Sequence, residues 1–295
     1  MRLCTLAIDD AEILCIGTPK GYVPLKNVNR FLHQRWDNQL LPLLVSGAFD
    51  RLLEWYNSGG KQALASHPQF PVIQPPYTYA PLYRHPPKIW GIGLNYQEHA
   101  HDLSERSPDT IPVGFMKPDT TIIAAGDTIK IPHQSHRTTA EAELGLVIKR
   151  KCRKVARKDW RNVLAGFTGV IDVTAEDILR QNPRYLTLSK SFDTFFSFGP
   201  ELLSVDEIRS VSGIGVTTVI NGRPHRSNRV GNMTFLPDFL IAYLSEVMTL
   251  LPGDVISTGT PGAAVLRHGD IIECRIEGFA SLKNPVIDLK KPHRT

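Results

Sequence analysis

Residues 139–150 read TAEAELGLVIKR and carry two acids, Glu141 and Glu143, one residue apart. In an extended chain, side chains two apart share a face. Both carboxylates then stand side by side, while Leu144, Leu146 and Ile148 take the other face. Parallel carboxylates repel, and burial sharpens the repulsion, so an opposite charge must neutralise them. A third acid, Asp172, lies in AGFTGVIDVTAEDIL, at the end of an apolar run (167–173) that reads as a buried strand. A carboxylate there is costly unless paired. Thr174 and Asp177 fit a capping box for a following helix, which leaves Asp172 without a local explanation. Three carboxylates with no cysteine or histidine spacing nearby suit a hard cation, Mg2+ or Mn2+, with Ca2+ also accommodated. The competing reading pairs Glu141 and Glu143 with Lys130, Arg137 or other surface bases.

The elements that must position these acids are mostly strands. Residues 1–85 begin with short alternating strands (Arg2–Ile8, 12–16, 22–24) and a helical stretch over 40–56. A proline-rich segment, QFPVIQPPYTYAPLYRHPPK, follows and suits neither a helix nor a central strand. We expect a small N-terminal α+β domain and linker over 1–85, and a larger domain over 86–295 that opens with KIWGIGLNY. Three times the larger part places Gly-Asp before apolar, β-branched residues, at 126–129, 253–256 and 269–272, each a turn feeding a strand. Helices are expected only at 174–181, 205–211 and 237–248. Many strands and few helices predict an α+β, mainly β fold with a rolled or barrel-like sheet. A Rossmann layout is excluded, because GIGLNY lacks the third glycine and a following helix.

Composition narrows the function classes. The chain has 295 residues, 42% hydrophobic, and its longest apolar runs fall short of the roughly 18 residues of a membrane span. Asp9, Asp10 and Glu12 interrupt what would be the core of an export signal. Cys4, Cys15, Cys152 and Cys274 are scattered without C-x-x-C spacing, which fits thiols in a reducing cytoplasm. Much of the +5 net charge comes from KRKCRKVARKDWR at 149–161. That run reads as a solvated face; it lacks the interleaved aromatics of a single-strand binder and matches no DNA-reading motif. Neither a nucleic-acid nor a membrane partner is expected. A non-enzymatic protein binding nucleic acid through 149–161 is the rival reading.

The ordered set EAELGLVI, GVIDVTAED, LSKSFDTF and STGTPG, spread from about Lys88 to Val286, resembles the fumarylacetoacetate hydrolase family, in its bacterial acylpyruvase and 2-hydroxyhepta-2,4-diene-1,7-dioate isomerase-like branch. The resemblance implies the family's β-rich rolled fold, a homodimer, and a divalent cation held by Glu141, Glu143 and Asp172. GLNYQEHAHD is similar to the family's N-Y-x-x-H segment, which implies a catalytic pair of His99 and Asp102; on a helical turn these share a face. Lys190, in LTLSKSFDTF, needs an anion partner if buried; the resemblance implies that it faces the metal and stabilises an enolate or oxyanion. Lys117 in VGFMKPDT matches another family lysine, or else is a solvated turn residue. Thr258, Gly259 and Thr260 resemble the family's closing loop, with donors for a substrate carboxylate.

The expected activity is metal-dependent chemistry on a small 2-oxo or 1,3-dioxo acid, foremost hydrolytic C–C cleavage of an acylpyruvate-type substrate by a water that His99 activates. Decarboxylation, tautomerisation or isomerisation, and dehydration use the same enolate. Two departures bear on this. Glu176 stands where family members commonly have arginine, and the acid partner of the histidine is Asp102 rather than the longer Glu.

Overall fold

A computed structural model of the chain describes residues 1–98, 108 and 110–291. The N-terminal part contains β1 (Arg2–Ile8), β2 (Ala11–Thr18) and β3 (Gly21–Pro24), then α1 (Leu25–Leu32), α2 (Leu40–Val45), α3 (Ala48–Trp55) and α4 (Lys61–Ser66). Asp9 and Asp10 make the β1–β2 turn with φ of 47° and 60°. Positive φ at both central residues suits a tight hairpin, and aspartate tolerates it.

The larger part supplies β4 (Ile89–Gly93), β5 (Val113–Lys117), β6 (Ile122–Ile123), β7 (Ile129–Ile131), β8 (Thr138–Ile148) and β9 (Leu164–Ala175). After α5 (Glu176–Gln181) and α6 (Leu186–Lys190) come β10 (Phe196–Ser204), β11 (Gly215–Ile220), β12 (Arg223–Arg229) and α7 (Pro237–Val247). The chain continues through β13 (Val255–Ser257), β14 (Ala263–Val265), β15 (Ile271–Ile276) and β16 (Leu282–Asp288). Over 205–211 the only helix is one 3-10 turn, Val205–Glu207, shorter than expected.

All three Gly-Asp turns share one construction. Gly126, Gly253 and Gly269 have φ between 86° and 91°. The aspartate after each accepts from the amide three residues back: Asp127 from Ala124, Asp254 from Leu251, Asp270 from Arg267, at 2.7–2.8 Å. A carboxylate thus satisfies the turn's leading N–H, and the strand starts in a fixed register.

The larger sheet runs β3-β2-β1-β10-β9-β8-β13-β4-β5, with β14 also on β8 and β6 also on β10; the smaller runs β12-β11-β15-β16-β7. The larger sheet is open, edged by β3 and β5, not the closed barrel that the strand count allowed. The N-terminal strands join it directly, since β1 pairs antiparallel with β10 from Arg2↔Leu203 to Cys4↔Glu201.

Every residue of β8 and β9 is buried. On one face, Ala140, Ala142, Leu144 and Leu146 of β8 pack with Ile171 and Val173 of β9 against Val216, Ile272 and α7 residues Leu240 and Ile241. On the other, Val147 and Val170 meet Leu40, Phe49 and Leu52 of the N-terminal helices. That second face carries Glu141, Glu143, Asp172 and Thr174 further along. The basic run leaves β8 and enters a 3-10 helix at Arg157–Val163. There Lys149 and Arg150 share Asp50, and Arg157 pairs with Asp238. No described helix is long and apolar enough to cross a membrane.

Candidate metal centre and substrate cavity

The β8–β9 register decides which side chains meet. Glu141 lies opposite Asp172 and Thr139 opposite Thr174. One step further, the Glu176 amide donates to the Arg137 carbonyl at 2.9 Å. Because every second residue shares a face, the two strands build a ladder with an acid rung (Glu141, Asp172), a hydroxyl rung (Thr139, Thr174) and a charged rung (Arg137, Glu176). Glu143 flanks the acid rung on the far side. Glu141, Glu143 and Asp172 are 8%, 2% and 0% exposed, and each brings a carboxylate oxygen within 4.8 Å of the others. Asp172 is interior to β9, which runs on to Ala175 instead of ending at 173.

Two lysines enter this cluster from other elements. Lys117, the last residue of β5, donates to Asp172 Oδ1 at 2.6 Å and to the Val173 carbonyl at 3.1 Å. Its side chain is fully buried, so it is not a solvated turn residue. Lys190, at the end of α6, bridges Asp172 Oδ2 (2.5 Å) and Glu141 Oε2 (3.0 Å), with its ammonium 4.4 Å from the centre of the Phe115 ring. Arg137, offered above as a partner for the acid pair, is spent on Glu176.

Burial shifts these groups in different directions. Desolvation, then the charges of Asp172 and Glu141, push the Glu143 carboxyl up to about 8. Desolvation pushes the Lys117 ammonium down to about 8, against the pull of Asp172. For Lys190 the same burial is outweighed by Asp172 and Glu141, and its pKa rises. Lys190 is therefore a fixed positive charge.

Residues 257–260 hold Glu143. Ser257 Oγ and the Gly259 amide both donate to its Oε2, at 2.5 and 2.7 Å. Gly259 has φ of +99°, and a Cβ there would come within 2.7 Å of Asn95 Cβ, so only glycine aims this N–H. The Thr258 hydroxyl is engaged by the Leu144 carbonyl at 2.8 Å, whereas Thr260 lines the cavity described below. His99 and Asp102 lie outside the described residues.

Glu141 and Glu143 line a cavity of about 480 Å³, walled by Phe115, Leu179 and Leu186 and reached by Lys190, Thr174 and Arg180. Thr174 does not cap α5. The residue preceding that helix is Ala175, with no side-chain cap. Asp177 is occupied by Ser135 Oγ and the His136 amide. The Thr174 hydroxyl, on a residue 4% exposed, has no hydrogen-bond partner among the described residues. Glu176 is buried and binds Arg137 through one oxygen and Arg180 through the other. A buried hydroxyl without a partner was a signal that sequence alone could not supply.

The donor set tests the metal expectation. Three hard carboxylate oxygens converge in a buried place where desolvation, and then mutual repulsion, drive Glu143 toward neutrality, and a divalent charge would relieve both. The residues fit. Such a set of buried carboxylates able to hold a cation beside a cavity, on a mainly β fold, is what an enzyme site looks like. The chain belongs to the fumarylacetoacetate hydrolase family: residues 88–287 match the model for the fumarylacetoacetate (FAA) hydrolase C-terminal domain.

Mitochondrial oxaloacetate tautomerase FAHD2A of Homo sapiens is 33% identical over 240 residues, 78% of this chain and 76% of that protein. The crystal structure of 2-hydroxyhepta-2,4-diene-1,7-dioate isomerase from Mycobacterium marinum superposes with a TM-score of 0.73 at 26% identity, covering 99% of this chain and all of that one. Maleylpyruvate hydrolase from Sphingobium sp. SYK-6, solved with manganese(II) and pyruvate, shares the fold at a TM-score of 0.78 and 24% identity, over 98% of this chain and 99% of that one.

Proposed function

We propose that the protein is a divalent-metal-dependent enzyme that carries out enolate chemistry on a small 2-oxo acid. The observation that supports this best is the pairing of three buried carboxylates with two buried ammoniums, of which Glu141, Glu143 and Lys190 line one cavity. Glu141, Glu143 and Asp172 would hold the cation, Mg2+ or Mn2+. When bound, the cation supplies Lewis acidity to the adjacent oxygens of a 2-oxo carboxylate. With a dication bound and Glu143 ionised, three carboxylates, two ammoniums and the cation sum to one positive charge, which favours an anionic substrate.

Lys117 fixes Asp172 from behind. Lys190 keeps its proton and faces the cavity, where it offsets negative charge growing on the substrate oxygen. Phe115 packs on Lys190 and excludes water from one side. Thr260 presents a hydroxyl to the substrate.

Two fates of the enolate are worth separating. Hydrolytic C–C cleavage of an acylpyruvate needs an activated water, a role for His99 with Asp102. Tautomerisation needs only proton movement beside the keto oxygen, and the naming of the human relative favours it. Turnover of oxaloacetate enol, acylpyruvates and fumarylpyruvate, with and without Mn2+, tests both. Cation-dependent turnover of at least one compound is expected. Equal turnover after metal stripping sinks the metal role, and no turnover with no cation binding sinks the enzyme reading.

We also propose a homodimer in the cytoplasm. The edge strand β5 exposes Val113 and Met116, with Ile111 just before it, and α6 packs beside it with Leu188 exposed. Such an apolar patch on an open sheet edge suits a second copy of the chain.

A further inference from the structure

A second cavity, of about 640 Å³, lies between the β2–β3 turn, the α3–α4 junction and the proline-rich segment. It shares no lining residue with the substrate cavity. Backbone contacts fix its shape. Tyr22 and Ile73 exchange both amide hydrogen bonds, at 3.1 and 2.8 Å, which clamps the turn to the proline-rich segment. Gly21, beside them, has φ of +136°, and a Cβ there would come within 2.2 Å of the Ile73 carbonyl.

One wall is aromatic. The Tyr22 and Tyr77 rings meet edge to face with 4.8 Å between centres, and Pro19 and Pro75 lie in the same lining. The acids of the cavity are already satisfied: Glu201 by Tyr22 Oη (2.7 Å) and Arg2 (3.2 Å), Glu207 by the Met1 ammonium (2.6 Å). Lys20 and Lys61, by contrast, are exposed and have no acid partner among the described residues, so their charge is free to meet a ligand. Tyr56 stands beside them. It is 5% exposed and lines the cavity, and its hydroxyl, not sealed in the core, has no hydrogen-bond partner among the described residues. Burial, then Glu207 and Asp206, push that hydroxyl up to about 12, so it remains a donor. A donor on so buried a residue needs an acceptor.

We propose that this cavity is a second ligand site, one that takes a small planar carboxylate. The tyrosine rings cover its apolar body, and Tyr56 Oη with the Lys20 and Lys61 ammoniums meets its charge. The volume is within the range of small-molecule sites. The site is also separate from the acids. Glu201 lies on β10 five residues from Phe196, which pairs with Asp172, a span of roughly 16 Å along an extended strand.

The probe is 4-fluorobenzoate, titrated calorimetrically into the Mn2+-loaded protein beside its neutral counterpart 4-fluorobenzamide. The acid should bind about tenfold or more tightly than the amide, as expected for charge-assisted hydrogen bonds. Tyr56→Phe should weaken the acid several-fold, and Lys61→Met should erase most of its advantage over the amide. Mn2+ affinity should be unchanged in both variants, which shows that each is folded. Fluorine NMR separates the two cavities. A ligand beside Mn2+ loses its resonance to paramagnetic broadening, whereas a ligand in this cavity keeps it when Mn2+ replaces Mg2+. No binding of the acid, equal affinity for acid and amide, or a preference that survives both substitutions overturns the inference. So does a resonance that Mn2+ broadens away, because it places the acid at the metal.

Discussion

Glu143 and Lys117 both titrate near pH 8, one pushed up from 4.5 and the other down from 10.5. Between pH 4.5 and 8 the folded chain keeps a proton on Glu143 that the unfolded chain has lost. That group's contribution to stability therefore falls as pH rises through this window. Between pH 8 and 10.5 the unfolded chain holds a proton that Lys117 lacks when folded, and stability from Lys117 rises with pH. A cation must displace the Glu143 proton, so Mn2+ should bind with proton release at about pH 6 and without it near pH 9. Titrations in buffers of different ionisation enthalpy measure this; buffer-independent heats at the lower pH would contradict the assignment. Lys190→Met should cut kcat by about 10²–10³-fold, as losing an oxyanion donor does. Mn2+ affinity should hold or tighten, because a competing charge leaves Glu141 and Asp172. A variant that loses Mn2+ binding would show that Lys190 only maintains the cluster.

At the scale of elements, the β8–β9–β10 pairing sets the site. A Cβ on Gly166 would meet the Leu203 carbonyl at 1.9 Å, backbone against side chain with nowhere to move. Gly166→Ala should destabilise the fold by about 3 kcal/mol, lowering the denaturant midpoint with little change in slope. An unchanged midpoint would mean that β9 and β10 separate easily.

What the sequence disclosed at this scale follows from locality. The Glu141/Glu143 pair was readable because strand alternation needs only neighbouring residues, and the Gly-Asp turns because each is closed within four residues. Pairing register is non-local, so the facing of Thr139 with Thr174, and of Arg137 with Glu176, could not be read. The same limit made Thr174-x-x-Asp177 look like a cap, whereas pairing with β8 carries the strand through Ala175. Lys117, followed by proline, resembled a turn residue until β5 placed it against Asp172.

For the whole molecule, the edge patch predicts the assembly. Sedimentation equilibrium should return twice the 32.9 kDa chain mass. Met116→Glu, which puts a charge into the patch, should shift it toward the single-chain mass. A wild-type monomer at working concentration would dismiss the dimer. The family and the mainly β fold were legible from ordered motifs and turn spacing, whereas the open sheet was not, since closure depends on which strands become edges. The ladder on β8 and β9 has a further consequence for engineering. The three acids stand on one buried pair of strands, whereas Glu176 and Arg180 stand on the short helix that follows it. Positions 176 and 180, which line the cavity, can therefore be randomised together, with the acids at 141, 143 and 172 left in place.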